Sequence, residues 1–150
     1  MSAVPVRIER IASLAAVPLS RLLTVSVADG HRLVQRLCDD WRSGANRFDR
    51  DGEALFVAWR GARLAGVCGL NRDPFSDAQP DDARLRHLYV EPAARRAGVA
   101  RQLSLRCIDH ARGGFARVRV RCHQPAAIAL YLTLGFAPVG ERDATHALEL

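Results

Sequence analysis

Arg95-Arg96-Ala97-Gly98-Val99-Ala100 is the stretch on which the reading of this chain turns. Before it, Leu85-Arg86-His87-Leu88-Tyr89-Val90 has the composition of a strand and is closed by Glu91-Pro92. After it, Val99, Leu103, Cys107 and Ala111 recur at helical spacing, and Gly113-Gly114 supplies a C-terminal cap. A strand that turns through a Gly-containing loop into a helix presents unpaired backbone N–H groups at the positive end of a helix dipole. That arrangement suits a phosphate or pyrophosphate. Gly98 permits unusual dihedrals or a close backbone approach, and Arg95 and Arg96 add fork-shaped cationic donors.

Working outward, Val6–Ile11 alternates as a first strand, and an apolar, helix-compatible region runs from Leu14 to Ala28 around Pro18. Leu33, Val34, Leu37, Cys38 and Trp41 form one face of a second helix that stops at Ser43-Gly44. Ala54–Trp59 and Leu64–Leu70 flank Arg60-Gly61-Ala62-Arg63 as a β-hairpin, and Asn71 to Asp82 reads as a surface loop. Val118, Val120 and Cys122 alternate with Arg117, Arg119 and Arg121, a strand whose basic side is expected to face solvent. Gln124-Pro125 opens a short helix to Leu134, and Phe136–Val139 and Ala144–Leu150 read as closing strands. The order β-α-α-β-β-β-α-β-α-β-β predicts a single α/β domain over residues 1–150, with one mixed, mostly antiparallel sheet flanked by helices.

Composition narrows the function classes. Hydrophobic content of 49% with 25% charged residues is ordinary for a globular domain, and no apolar run reaches the ~20 residues that cross a bilayer. The N-terminus lacks a signal layout, so the expectation is a cytoplasmic protein without membrane contact. The net charge of +6 is carried by arginine alone, since the chain has no lysine. Few aromatics interleave with the arginines, which argues against nucleic-acid binding. Cys38, Cys68, Cys107 and Cys122 form no C-x-x-C pair and have no His at zinc spacing, so they read as small buried hydrophobes, and no metal site is expected.

Two motifs carry a resemblance. Arg95–Ala100 is similar to a Q/R-x-x-G-x-G/A loop, with Ala100 in place of the last Gly. Ala127-Ile128-Ala129-Leu130-Tyr131-Leu132-Thr133-Leu134-Gly135-Phe136 is similar to an A-I-x-L-Y-x-x-L-G-F segment. In this order, with a strand between them, they resemble the GCN5-related N-acetyltransferase (GNAT) superfamily. The resemblance spans most of the chain and is strongest from Arg84 to Val139.

The resemblance implies acetyl-CoA as cosubstrate and an amine acceptor, either a small molecule or a protein N-terminus or lysine. It places Arg95, Arg96, Ala97, Gly98, Val99 and Ala100 on the pyrophosphate and the main chain of Leu88, Tyr89 and Val90 on the pantetheine arm. It also implies that Tyr131 gives a proton to the departing thiolate. Gln124 stands where relatives often have a cofactor-contacting Asn. Arg84 stands where they often have a Glu base, which leaves His87 as the nearest titratable replacement, with Asp82 and Glu91 further off. His146 is a weaker candidate on the last strand. Acceptor specificity is expected from the Cys38–Phe48 region and the Asn71-Arg72-Asp73-Pro74 loop. Relatives often form homodimers. No Ser-His-Asp or Cys-His constellation points to a covalent route, so direct attack by the amine in a ternary complex is the expected chemistry. The alternative reading is a non-catalytic acyl-CoA-binding or regulatory module of the same fold.

Overall fold

The structure is a computed structural model that describes residues 4–150. Its seven strands form one sheet: β1 (Val6–Ile11), β2 (Ala54–Arg60), β3 (Arg63–Arg72), β4 (Asp82–Val90), β5 (Arg117–Val120), β6 (Ala137–Glu141) and β7 (Ala144–Glu149). The spatial order is β1-β2-β3-β4-β5-β7-β6, and every pairing is antiparallel except β4 with β5. Helices α1 (Ser20–Ala28) and α2 (Leu33–Ser43) cover one face. Helices α3 (Val99–Ala111) and α4 (Pro125–Thr133) cover the other.

The alternation of side chains assigns the two cores. Ala83 and Leu85 of β4 and Val118 and Val120 of β5 join Leu103 and Cys107 of α3 beneath one face. Val57, Val67 and Tyr89 meet Leu22 of α1 and Val34 and Leu37 of α2 on the other. Both faces are therefore buried around β2, β3 and β4, which explains why β2 and β3 read as continuous apolar runs.

Several boundaries differ from expectation. The Leu14–Ala28 region divides at Pro18 into a 3₁₀ turn at Leu14–Ala16 and helix α1. The expected loop from Asn71 is shorter, because the β3–β4 pairs Asn71↔Arg84 and Arg72↔Ala83 extend the hairpin at both ends. The basic side of β5 is a correction. Arg119 is fully buried, with Asp73 at 2.8 Å, Asp77 at 2.9 Å and Glu141 at 2.8 Å, while Arg117 forks onto Asp82 and Glu141. Arg121 alone of the three keeps an exposed side chain. The acids come from the 73–82 segment and from β6, distant in sequence, so local alternation carries no sign of them. Cys38 and Cys122 are half-buried, whereas Cys68 and Cys107 lie in the core as expected.

Candidate active site

The two parallel strands part company almost at once. β4 and β5 pair only at Asp82↔Arg117, Ala83↔Val118 and Arg84↔Arg119. Beyond Arg84 the edge of β4 that would face β5 has no strand partner, and a V opens toward the C-terminal ends of both strands. The closed end is welded by the Arg117–Arg119 ion-pair network, joined by Arg84, whose Nε lies 3.0 Å from Asp73 and whose guanidinium sits over the Phe75 ring. Arg84 is thus a structural cation.

β4 also carries a bulge. Val67 pairs with Tyr89 and Gly69 with Arg86, so Cys68 of β3 stands opposite both His87 and Leu88. His87 takes a left-handed φ of 58°, a conformation few non-glycine residues hold. Its imidazole is buried, 6.0 Å centroid to centroid from Phe48, and Nε2 has no hydrogen-bond partner. Burial, with Arg86 and Arg36 adding like charge, pushes its pKa down to about 3.

At the mouth of the V the chain passes through a 3₁₀ turn at Pro92–Ala94 into the Arg95–Gly98 loop. Arg96 has φ 65° and Gly98 φ 78°, the left-handed turn that Gly98 was expected to allow. The first helical bond of α3 runs from Gln102 N to Gly98 O, and no backbone or side-chain acceptor takes the amides of Arg96 to Arg101. Arg96, Ala97, Gly98 and Arg101 are exposed, Val99 turns its side chain into the core, and the free N–H groups lie at a helix N-terminus, a setting that suits an anion. Arg96 is exposed beside them. Arg95 is committed elsewhere: it donates to Val90 O at 3.0 Å, pairs with Asp29 and lies over the Tyr89 ring. Tyr89 donates its hydroxyl to the same Asp29 at 3.0 Å, and burial followed by that carboxylate raises its pKa to about 12. The pair to Arg95 holds the Asp29 carboxyl below its usual range.

Tyr131 of α4 is buried on the α3 face, its ring 5.2 Å from Phe136. Burial first, and then the nearby Cys68, Cys122 and Cys107 thiols, raise its pKa well above a free phenol's. Gln124 caps α4 from an exposed position. His146 pairs with Val120 in register and so faces α3 and α4, with Cys122 Sγ 4.0 Å from its Nδ1. Tyr131 and the loop therefore share one face of the sheet with His146, and His87 packs against the opposite one. Motifs give no sign of Arg86 or of the Asp29–Arg95–Tyr89 cluster. A strand residue with positive φ leaves no mark in composition.

Comparison with known proteins fits this geometry. Residues 23–136 match the model of the Acetyltransferase (GNAT) family. The chain belongs to that family. Within it, the chain is 35% identical over 108 residues to the N-alpha-acetyltransferase RimI of Mycobacterium tuberculosis, a match that takes in 69% of this chain and 66% of RimI. A solved structure from Exiguobacterium sp. 255-15 superposes with a TM-score of 0.85 at 29% identity, covering 97% of this chain and 93% of that one. The yncA protein of Salmonella typhimurium, solved with its cofactor acetyl-CoA, shares the fold at a TM-score of 0.67 and 17% identity, covering 97% of this chain and 94% of its own. The GNAT fold is thus present with its splayed strands and open loop. Among the described residues no helix is long and apolar enough to cross a membrane, and no cluster of His, Cys, Asp or Glu suits a metal ion.

Proposed function

We propose that the chain is an N-acetyltransferase that moves an acetyl group from acetyl-CoA to a primary amine, working as one domain in the cytoplasm. The observation that carries the reading is the run of amides from Arg96 to Arg101, without internal acceptors, at the open end of the β4–β5 splay. These donors, with Arg96, fit a pyrophosphate. The unpaired edge of β4 at Leu88–Val90 fits the amide-rich pantetheine arm, and Gln124 lies at the start of α4 on the far side of the V.

Acetyl-CoA supplies an activated acyl thioester. The chain's part is to orient it, donate an N–H from the β4 edge to its carbonyl, and return a proton to the thiolate. Tyr131 is the proton donor in this reading: burial keeps its hydroxyl protonated, and the hydroxyl makes no hydrogen bond to the described residues. His87 is neutral at physiological pH and its Nε2 is unpartnered, but at about 3 it is too weak a base to strip an ammonium. The amine must therefore arrive neutral. kcat/KM should therefore rise with pH toward the pKa of the acceptor amine.

Calorimetry with CoA and thiol release across an amine panel test the reading. Micromolar CoA affinity with turnover supports it, and absence of CoA binding refutes it. Tyr131→Phe should lower kcat by about 10²-fold with CoA affinity retained, and full turnover would remove the assigned role. A second reading, a non-catalytic acyl-CoA-binding module, draws on Arg84, whose ion pair leaves no carboxylate base at that position. Tight CoA binding without turnover on any acceptor would favour it.

A further inference from the structure

Arg86 is an arginine whose setting the fold does not explain. It lies two residues beyond Arg84 on β4 and faces α2. Yet Arg84 has Asp73 and the Asp143 carbonyl, while Arg86 is half-buried with no hydrogen bond, ion pair or aromatic partner among the described residues. Burial lowers its pKa. The acids whose charge reaches it are Asp40 of α2 and Asp73, and Asp73 already holds Arg84 at 3.0 Å and Arg119 at 2.8 Å. A half-buried guanidinium that still reaches solvent and has no acceptor inside the chain is free to take an anion.

Its neighbours make this a site. Arg36 of α2 is exposed, has no ion pair, and lies near enough for its charge to act on both Arg86 and His87. His87, the next residue, presents the unpartnered, buried Nε2 at the bulge where the β4 edge is open. The charges of two guanidinium groups without ion pairs therefore reach the only buried, unpartnered imidazole nitrogen among the described residues, on the face of the sheet opposite Tyr131. An arginine fork matches the two oxygens of a carboxylate. The Asp40 and Asp73 charges nearby weigh against a doubly charged phosphate ester.

We propose that Arg86 and Arg36 bind the carboxylate of the acceptor, so that the preferred substrates are amines bearing a carboxylate within a few bonds of the attacking nitrogen. The inference rests on the N-acetyltransferase reading and names its substrate class. The carboxylate can belong to a free amino acid or to an acidic side chain near a peptide's N-terminus.

The experiment is thiol release from acetyl-CoA with matched acceptors: phenylalanine against phenylalanine amide, and the peptide amide Ala-Glu-Ala against Ala-Gln-Ala. The carboxylate member of at least one pair should show kcat/KM higher by about 10- to 100-fold, and the pair that responds identifies the source. Arg86→Gln should collapse that ratio chiefly through KM, and Arg86→Lys should restore part of it. CoA affinity reports whether each variant folds. Arg36→Gln, on an exposed helix position, should lower the ratio by about 3- to 10-fold and stands in if the β4 variants do not fold. Equal use of charged and neutral acceptors, or a preference that survives in both the Arg86→Gln and Arg36→Gln proteins, overturns the assignment while leaving acetyl transfer intact. Turnover of no acceptor despite CoA binding removes the enzyme reading itself, and this inference with it.

Discussion

His87 should make the protein lose stability in mild acid, well before its carboxylates titrate. In the fold its imidazole is buried at the β4 bulge with a pKa of about 3. In the unfolded chain it returns to about 6.5. Between those values the unfolded state binds the extra proton, so stability is fully present above about 6.5 and falls as pH drops toward the folded value. From pH 8 to pH 5 the loss is about 2 kcal/mol, and any folded value below about 4 gives nearly the same figure. Urea denaturation of the protein and of His87→Asn at both pH values isolates the effect, because losses at other groups cancel in the difference. Asparagine suits the test, since it tolerates the positive φ better than most residues. Equal losses in both proteins would refute the argument, and so would an imidazole that titrates near 6 in the folded state by NMR.

Three further outcomes follow from the packing. Arg119→Met leaves Asp73, Asp77 and Glu141 converging on an apolar side chain, and denaturant unfolding at neutral pH should register a loss of about 3–5 kcal/mol. Gly69→Ala would drive a Cβ into Phe48 Cε1, far inside van der Waals contact, so the ring that covers His87 must move. Calorimetric melting should show a cost of about 1–3 kcal/mol. Gly98→Ala meets open space but a φ of 78°, and should cost about 1 kcal/mol of stability while weakening CoA binding in calorimetry by at least about tenfold.

The sheet, its strand order along the chain and the position of the Gly98 turn before α3 were legible because each rests on a local pattern. Alternation marks β1 and β5, apolar continuity marks β2 and β3, and Gly98 before a helical repeat marks the start of α3. What lay outside reach depends on partners remote in sequence. Arg119 reads as a solvated strand residue until the 73–82 segment and β6 fold over it with Asp73, Asp77 and Glu141. Arg95 reads as a loop cation until the C-terminus of α1 delivers Asp29 to it. The bulge needs the register of β3 against β4, which no single strand encodes. Tyr131, in contrast, stands out in its motif, and its burial against Phe136 agrees with the apolar company it keeps there.

A lysine-free chain with 22 basic residues shows why charge counting says little about a site and pairing says much. The arginines divide by what completes them. Arg84, Arg117 and Arg119 are satisfied by carboxylates and lock the closed end of the V, a use that suits guanidinium because its planar fork engages several acids at once. Arg95 is spent on Asp29 and Val90 O, which fixes the C-terminus of α1 against the end of β4 and leaves the Arg96–Arg101 amides without acceptors inside the chain. Arg86 and Arg36 have no such completion inside the chain. The same side chain thus builds the scaffold where acids meet it, and where none does, as at Arg86, it leaves a guanidinium beside His87 with no partner inside the chain.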